Sequence, residues 1–253
     1  MADEKKRILA REEIKELLRN AQALEPGFRA KLSAPFVVSL PPEWDSAKHR
    51  VVIVGQETGG WGYSRNGDWR DRLDDCLTED GVLESLATND EEFDFARGDS
   101  SFERTPFWRA HRELAGALED GDYRRVLWLN LVRTDFNKEG TKSANMWWNL
   151  SWPEAEAIAE WQKHALPAEM LESEAKAAVF FTGPNYDFYL KAAFPGIQFN
   201  QLRPDHGPRV LARLVHEALP RCAVRTYHPN YLRRSGQWQI LTRIIEQIRA
   251  EAA

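Results

Sequence analysis

Cysteine is nearly missing from this chain: Cys76 and Cys222 are the only two in 253 residues, and they form no CxxC pair. That excludes a disulfide framework and a cysteine-ligated zinc or iron–sulfur centre, and makes a reducing, cytoplasmic setting the expectation. No run of residues approaches the ~18 consecutive apolar positions of a membrane span, so no membrane partner is expected. The opening segment MADEKKRILAREEIKELL is charged throughout and has no apolar centre of the kind a secretory signal requires. Internal repeats and low-complexity linkers are also lacking, which favours one domain over residues 1–253 with an N-terminal helical extension over about 1–30.

What the chain does contain is an ordinary globular composition, 43% hydrophobic and 29% charged, with its charge unevenly laid out. From Ala218 to Ile245 there are five arginines and no Asp, Glu or Lys, whereas Asp68 to Asp94 holds eleven acidic residues against two arginines. The net charge of −5 conceals this layout, and local patches rather than the sum govern association with a polyanion. The acidic segment 68–94 reads as a solvated face or a surface for a protein partner.

Four short apolar runs, Arg50–Gly55, Val126–Leu131, Ala177–Thr182 and Ala223–Tyr227, read as buried strands. Helical segments are expected over Pro106–Glu119, Pro153–Lys163, Tyr186–Ala193, Arg209–Ala218 and about Gln237–Ala250. Uninterrupted apolar strands alternating with helices predict an α/β fold: a three-layer α/β/α sandwich around a central, mostly parallel four-stranded sheet. Ligands of such sheets bind beyond the carboxyl ends of the strands. Here those ends are Gly55–Gly60, Asn130–Thr134, Thr182–Asn185 and His228–Arg234, all polar or glycine-rich.

The first of these ends, in KHRVVIVGQETGGWGY (residues 48–63), is not a phosphate loop. No Lys-Ser/Thr follows its glycines, Gly55-Gln56-Glu57 breaks the dinucleotide fingerprint at its second glycine, and Glu57 would repel a pyrophosphate. The last, VRTYHPNYLRRSGQW (residues 224–238), sets His228 beside a proline at a strand end, with Leu232 among arginines at what reads as a loop tip.

These segments together resemble the uracil-DNA glycosylase superfamily. VVIVGQETGG is similar to its first motif, of the form GQDPYH, and HPNYL to its last, of the form HPSPLS; VLWLNLVRT and AVFFTGPNYDFYL fall in order between them. The resemblance covers about Leu40 to the C-terminus. It implies a DNA glycosylase that hydrolyses the N-glycosidic bond of a flipped uracil or other altered base, without cofactor or metal, acting as a monomer on DNA. It implies Glu57 as the carboxylate that positions or activates water and His228 as the donor to the departing base. Gln56 and Asn130 would bind the base, Asn130 with both a donor and an acceptor, and Gly59 would leave room for a base larger than uracil. A stacking aromatic is expected among Phe93, Phe95 and Phe102, of which Phe95 is chosen. Leu232 would be the wedge entering the duplex, with Asn230, Arg233 and Arg234 on the DNA.

The sequence departs from the family at Thr58 and Gly59, which replace Pro and Tyr, and at Asn230 and Tyr231, which replace Ser and Pro. The cluster NMWWNLSW, Asn145 to Trp152, reads as core packing or a lid at a helix start rather than a base-stacking platform. Two other functional classes stay open: a binding or regulatory protein of this fold without catalysis, and a hydrolase of free nucleosides or nucleotides using Glu57 and His228.

Overall fold

A computed structural model describes residues 7–58, 72–77, 83, 86–88, 105–136 and 150–252. Its strands are β1 (Val37–Val38), β2 (Val51–Gly55), β3 (Ala87–Thr88), β4 (Val126–Asn130), β5 (Ala177–Phe180), β6 (Gln198–Gln201), β7 (Leu211–Val215) and β8 (Cys222–Thr226). β1 and β3 form a small parallel pair; the other six strands make one sheet in the order β4-β2-β5-β8-β7-β6. β4, β2, β5 and β8 run parallel, and β7 and β6 add an antiparallel hairpin beyond β8.

The four parallel strands are the four expected ones, and every residue in them is buried. Val51 to Val54 have no exposed surface, and each such side chain stabilises the fold by about 1.5–3 kcal/mol. Strands buried on both faces need cover on both sides, and the helices divide accordingly. α4 (Pro106–Leu118), α8 (Pro229–Arg234) and α9 (Ile240–Glu251) pack on one another, and α1 (Arg11–Asn20), α5 (Trp152–Gln162), α6 (Ala165–Glu172) and α7 (Asp187–Ala193) form a second mutually packed set. Two further single-turn helices, α2 (Pro26–Arg29) and α3 (Leu73–Cys76), lie outside these sets. The N-terminal helix is part of the body: Ile14, Leu17 and Leu18 join the core, and Trp161 Nε1 donates to the Leu17 carbonyl at 2.7 Å.

Three expectations require correction. The sheet has six strands, not four. Arg209–Ala218 is not a helix; its centre is β7, paired on both sides. The free edge of β8 demands a partner, and pairing with it overrides the helix preference of Leu, Ala and Arg. The hairpin is fastened from within: Arg225 on β8 donates to Asp187 Oδ2 at 3.1 Å and to the Arg209 carbonyl at 2.8 Å, while Arg213 on β7 grips both oxygens of Glu251 at 2.8 and 2.6 Å.

The third correction concerns HPNYLRRSG, which is the short helix α8 and not a loop. Pro229 occupies its first position and His228 its N-cap. Its end is a Schellman turn: Gly236 has φ 69°, Gly236 N–H donates to Arg233 O at 3.3 Å, and Gln237 N–H donates to Leu232 O at 2.8 Å. Among the described residues, no helix is long and apolar enough to cross a membrane.

Candidate active site

The carboxyl ends of β2, β4, β5 and β8 are tied to one another by short bonds. Leu131 N–H and Val132 N–H donate to Gly55 O and Gln56 O, both at 3.0 Å, continuing the β2–β4 ladder past the strands. Gln56 Nε2 donates to Thr182 O at 2.7 Å, and Gly183 N–H donates to Thr226 O at 2.9 Å. β4 lies on one side of β2 and β5 on the other, so the connections leaving β2 and β5 diverge, which is where open sheets of this kind form a ligand crevice. The Gln56 amide spans that crevice. Its nitrogen is committed to the fold rather than to a ligand.

Asn130 is 1% exposed and pairs in register with Gly55. Trp128 Nε1 donates to Asn130 Oδ1 at 3.1 Å. An indole N–H can only donate, so this bond fixes which way the amide faces: its oxygen accepts from the indole, and among the described residues its NH2 is buried without a hydrogen-bond partner. The group of Asn130 left wholly unsatisfied is therefore its donor, where the resemblance implied donor and acceptor together. The approach depends on Gly55, because a Cβ there would stand 2.3 Å from Asn130 Oδ1.

His228 caps α8 with its side chain: Nδ1 accepts the Asn230 N–H at 3.2 Å. Burial, reinforced by the Arg234 guanidinium, pushes the imidazole down to about 4. At neutral pH the ring is then uncharged, and with Nδ1 accepting, its proton sits on Nε2 as a donor. The ring stacks on Phe107 at the start of α4, with centroids 5.8 Å apart and planes 14° from parallel. Phe107 also meets Trp128 at 6.2 Å and Phe181 at 6.1 Å. One half-buried phenyl ring thus links the His228 end of the site to the indole that orients Asn130.

Glu57 is half-buried and acts electrostatically on Tyr186 and Tyr189, which follow β5. Both phenols are held protonated well beyond the usual range, first by burial and then by the neighbouring Glu57 carboxylate. At the next residue Thr58 Oγ1 donates to Asp135 Oδ1 at 2.6 Å, pinning the turn to the segment after β4. Beneath that segment Arg133 pairs with the fully buried Glu169 and donates to Phe36 O at 3.0 Å. Burial pushes the Glu169 carboxyl up to about 7 against the opposing pull of Arg133.

No protein-family model matches the chain, and the comparison with curated proteins finds no match.

Of the sequence-predicted residues, Gln56, Glu57, Asn130 and His228 all stand at the carboxyl ends of the parallel strands. Asn230, Arg233 and Arg234 lie on α8, with both arginines exposed. Leu232 must be corrected: it is 1% exposed and belongs to the core. On a helix, residues 229 and 232 share a face, and here that face is the inner one, so Leu232 cannot enter a duplex. Gly59, Phe93, Phe95 and Phe102 lie outside the described residues, as do Asn145 to Asn149 and most of the acidic segment. Trp152 opens α5 half-exposed against Phe188, with ring centroids 4.7 Å apart. Sequence reasoning missed Phe107, Tyr186, Tyr189 and Asp135. Of these only the tyrosines gave a signal, both falling in the turn-and-helix segment just beyond a strand end. Among the described residues, no three His, Cys, Asp or Glu side chains converge as a metal site.

Proposed function

We propose that this protein is a DNA glycosylase, related to the uracil-DNA glycosylase superfamily, that hydrolyses the N-glycosidic bond of an extruded uracil or other altered base. The observation that carries the proposal is the buried, unclaimed NH2 group of Asn130, held over a glycine at the strand ends that Glu57 also occupies. A buried donor without a partner costs free energy, and a base carbonyl supplies the missing acceptor.

Breaking the glycosidic bond puts positive charge on the sugar and negative charge on the departing base. The Glu57 carboxylate opposes the first and positions the attacking water. The neutral His228 donates its Nε2–H to the base oxygen as charge develops there, an interaction strengthened where water is excluded. The Asn130 NH2 holds the base carbonyl, which favours bases with an acceptor at that edge. The bond from the anomeric carbon to the base nitrogen breaks, water adds to the sugar, and an abasic site remains.

The test is release of free base from oligonucleotides carrying uracil, hypoxanthine, xanthine or bulky 5-substituted pyrimidines. We expect release from at least one, with Glu57→Gln and His228→Ala each lowering the rate by about 100-fold or more. Absence of release from all of them at enzyme excess would sink the catalytic reading. Release from free nucleosides alone would move the activity to the nucleoside hydrolases.

A further inference from the structure

With Leu232 buried, α8 turns a different set of side chains outward. Tyr231 is 43% exposed, and its ring lies against that of Tyr227, with centroids 4.4 Å apart and planes tilted by 34°. The two tyrosines flank His228 in sequence, and Tyr231 N–H donates to His228 O at 2.8 Å, so the ring pair is fixed to the backbone that carries His228. Arg234, three residues on from Tyr231, shares its face of the helix, Arg233 is exposed farther round, and among the described residues neither is paired with a carboxylate. An aromatic already braced by a second ring gives up little rotamer freedom when something stacks on it. Two exposed guanidinium groups on the short helix that carries such a ring suit a strand with a phosphate on every nucleotide.

We propose that the Tyr227–Tyr231 pair is a stacking platform for an unpaired base neighbouring the one in the crevice, so that the substrate is single-stranded DNA. The inference rests on the nucleic-acid reading above and names the form of its substrate. A duplex-acting enzyme must extract the base from its stack and fill the gap with an inserted side chain, and the residue expected to do so is sealed in the core. In a single strand there is no pairing to break. An exposed tyrosine takes any base on its face, and the arginines hold the phosphates on either side.

The experiment is fluorescence anisotropy with one end-labelled, uracil-containing oligonucleotide, measured alone and annealed to its complement at the same salt concentration, with base release followed in parallel. The single strand should bind more tightly than the duplex. Tyr231→Ala should weaken single-strand binding by about 5- to 150-fold, the range that loss of one base–aromatic stack spans. Tyr231→Trp should retain the affinity, and Tyr231→Leu, which keeps apolar contact with Tyr227 but has no aromatic face, should lose it as the alanine variant does. Equal or tighter duplex binding, or an unchanged affinity in Tyr231→Ala, overturns the proposal. If the single strand binds through Tyr231 but no base is released, the platform stands and the glycosylase reading falls. If duplex DNA is cleaved at a rate indifferent to Tyr231→Ala, the glycosylase reading stands and the platform falls. Binding to neither form overturns both.

Discussion

Asn130 and Gly55 act as one unit, because the amide can lie where it does only if position 55 has no Cβ. Gly55→Ala should force the amide aside and cost about 1–3 kcal/mol of stability, as overpacking of a filled core does. The same substitution should cost less when made in Asn130→Ala, where the opposing oxygen is gone. Urea denaturation of the four proteins measures this coupling directly, and additive losses would show that the two residues do not meet.

His228 yields a prediction of the opposite kind, a titration that does not occur. With its pKa pushed down to about 4 by burial, the imidazole should stay neutral from pH 8 down to about pH 5, and its proton should reside on Nε2. Nitrogen-15 NMR of the ring reads both properties, and a midpoint near the usual histidine value of about 6.5 would contradict them. The positions of Glu57 and His228 were legible in the sequence because each follows an unmistakable apolar strand. The state of Asn130 was not, for the group that claims its oxygen is Trp128. That tryptophan stands two residues back on the same face of the strand and reads, from sequence, as one more core residue.

Among the elements, α8 carries the plainest lesson. Its signals stood in the sequence, a proline at the first helical position and a glycine just past the last, yet the arginines and the short length favoured a loop. The consequence reached the function, since a loop tip would have displayed Leu232 and a helix buries it. The Schellman turn makes the glycine testable: at φ 69°, Gly236→Ala places a Cβ in the left-handed region at a cost of about 1–2 kcal/mol. Thermal denaturation should register that loss. The variant should also weaken the proposed single-strand binding at Tyr231 more than it disturbs the orientation of Asn130, which is set by Trp128 on β4 and Gly55 on β2. β7 was hidden for a different reason. LARLV satisfies helix propensity and a half-buried strand equally well, and only the unpaired edge of β8, a tertiary fact, decides between them. β6, with an exposed and polar pattern, has the character of a guarded sheet edge and leaves almost no hydrophobic signal.

Taken whole, the molecule also couples its stability to pH through a second buried histidine, bonded at the opposite end of β4 from Asn130. His111 on α4 is 1% exposed and its Nε2 donates to Val126 O at 2.9 Å, and burial pushes its pKa down to about 4. An unfolded chain would bind this proton near pH 6.5. The contribution of the neutral ring is therefore complete above about pH 6.5 and is lost as pH falls through the window down to about 4, a change on the order of 3 kcal/mol. Urea midpoints at pH 7 and pH 4.5 should differ more in the wild-type protein than in His111→Gln, and equal shifts in the two would dismiss the assignment. The α/β class and the four parallel strands could be read from composition and pattern, whereas the dependence on His111 could not, because one histidine on an amphipathic helix looks the same whether it faces water or a carbonyl.

The strand order has a consequence for how the chain reaches this state. β2 is the first strand of the large sheet to be synthesised, yet it lies between β4 and β5, whose residues begin at positions 126 and 177. For some seventy residues of synthesis a stretch of four consecutive valines and isoleucines, Val51 to Val54, has neither neighbour. Closing such distant parallel pairings requires large loops to be ordered before any contact rewards them, which slows folding. The nascent chain thus carries an apolar strand without a partner through much of its synthesis, and holdase chaperones that shield newly made apolar strands suit this topology.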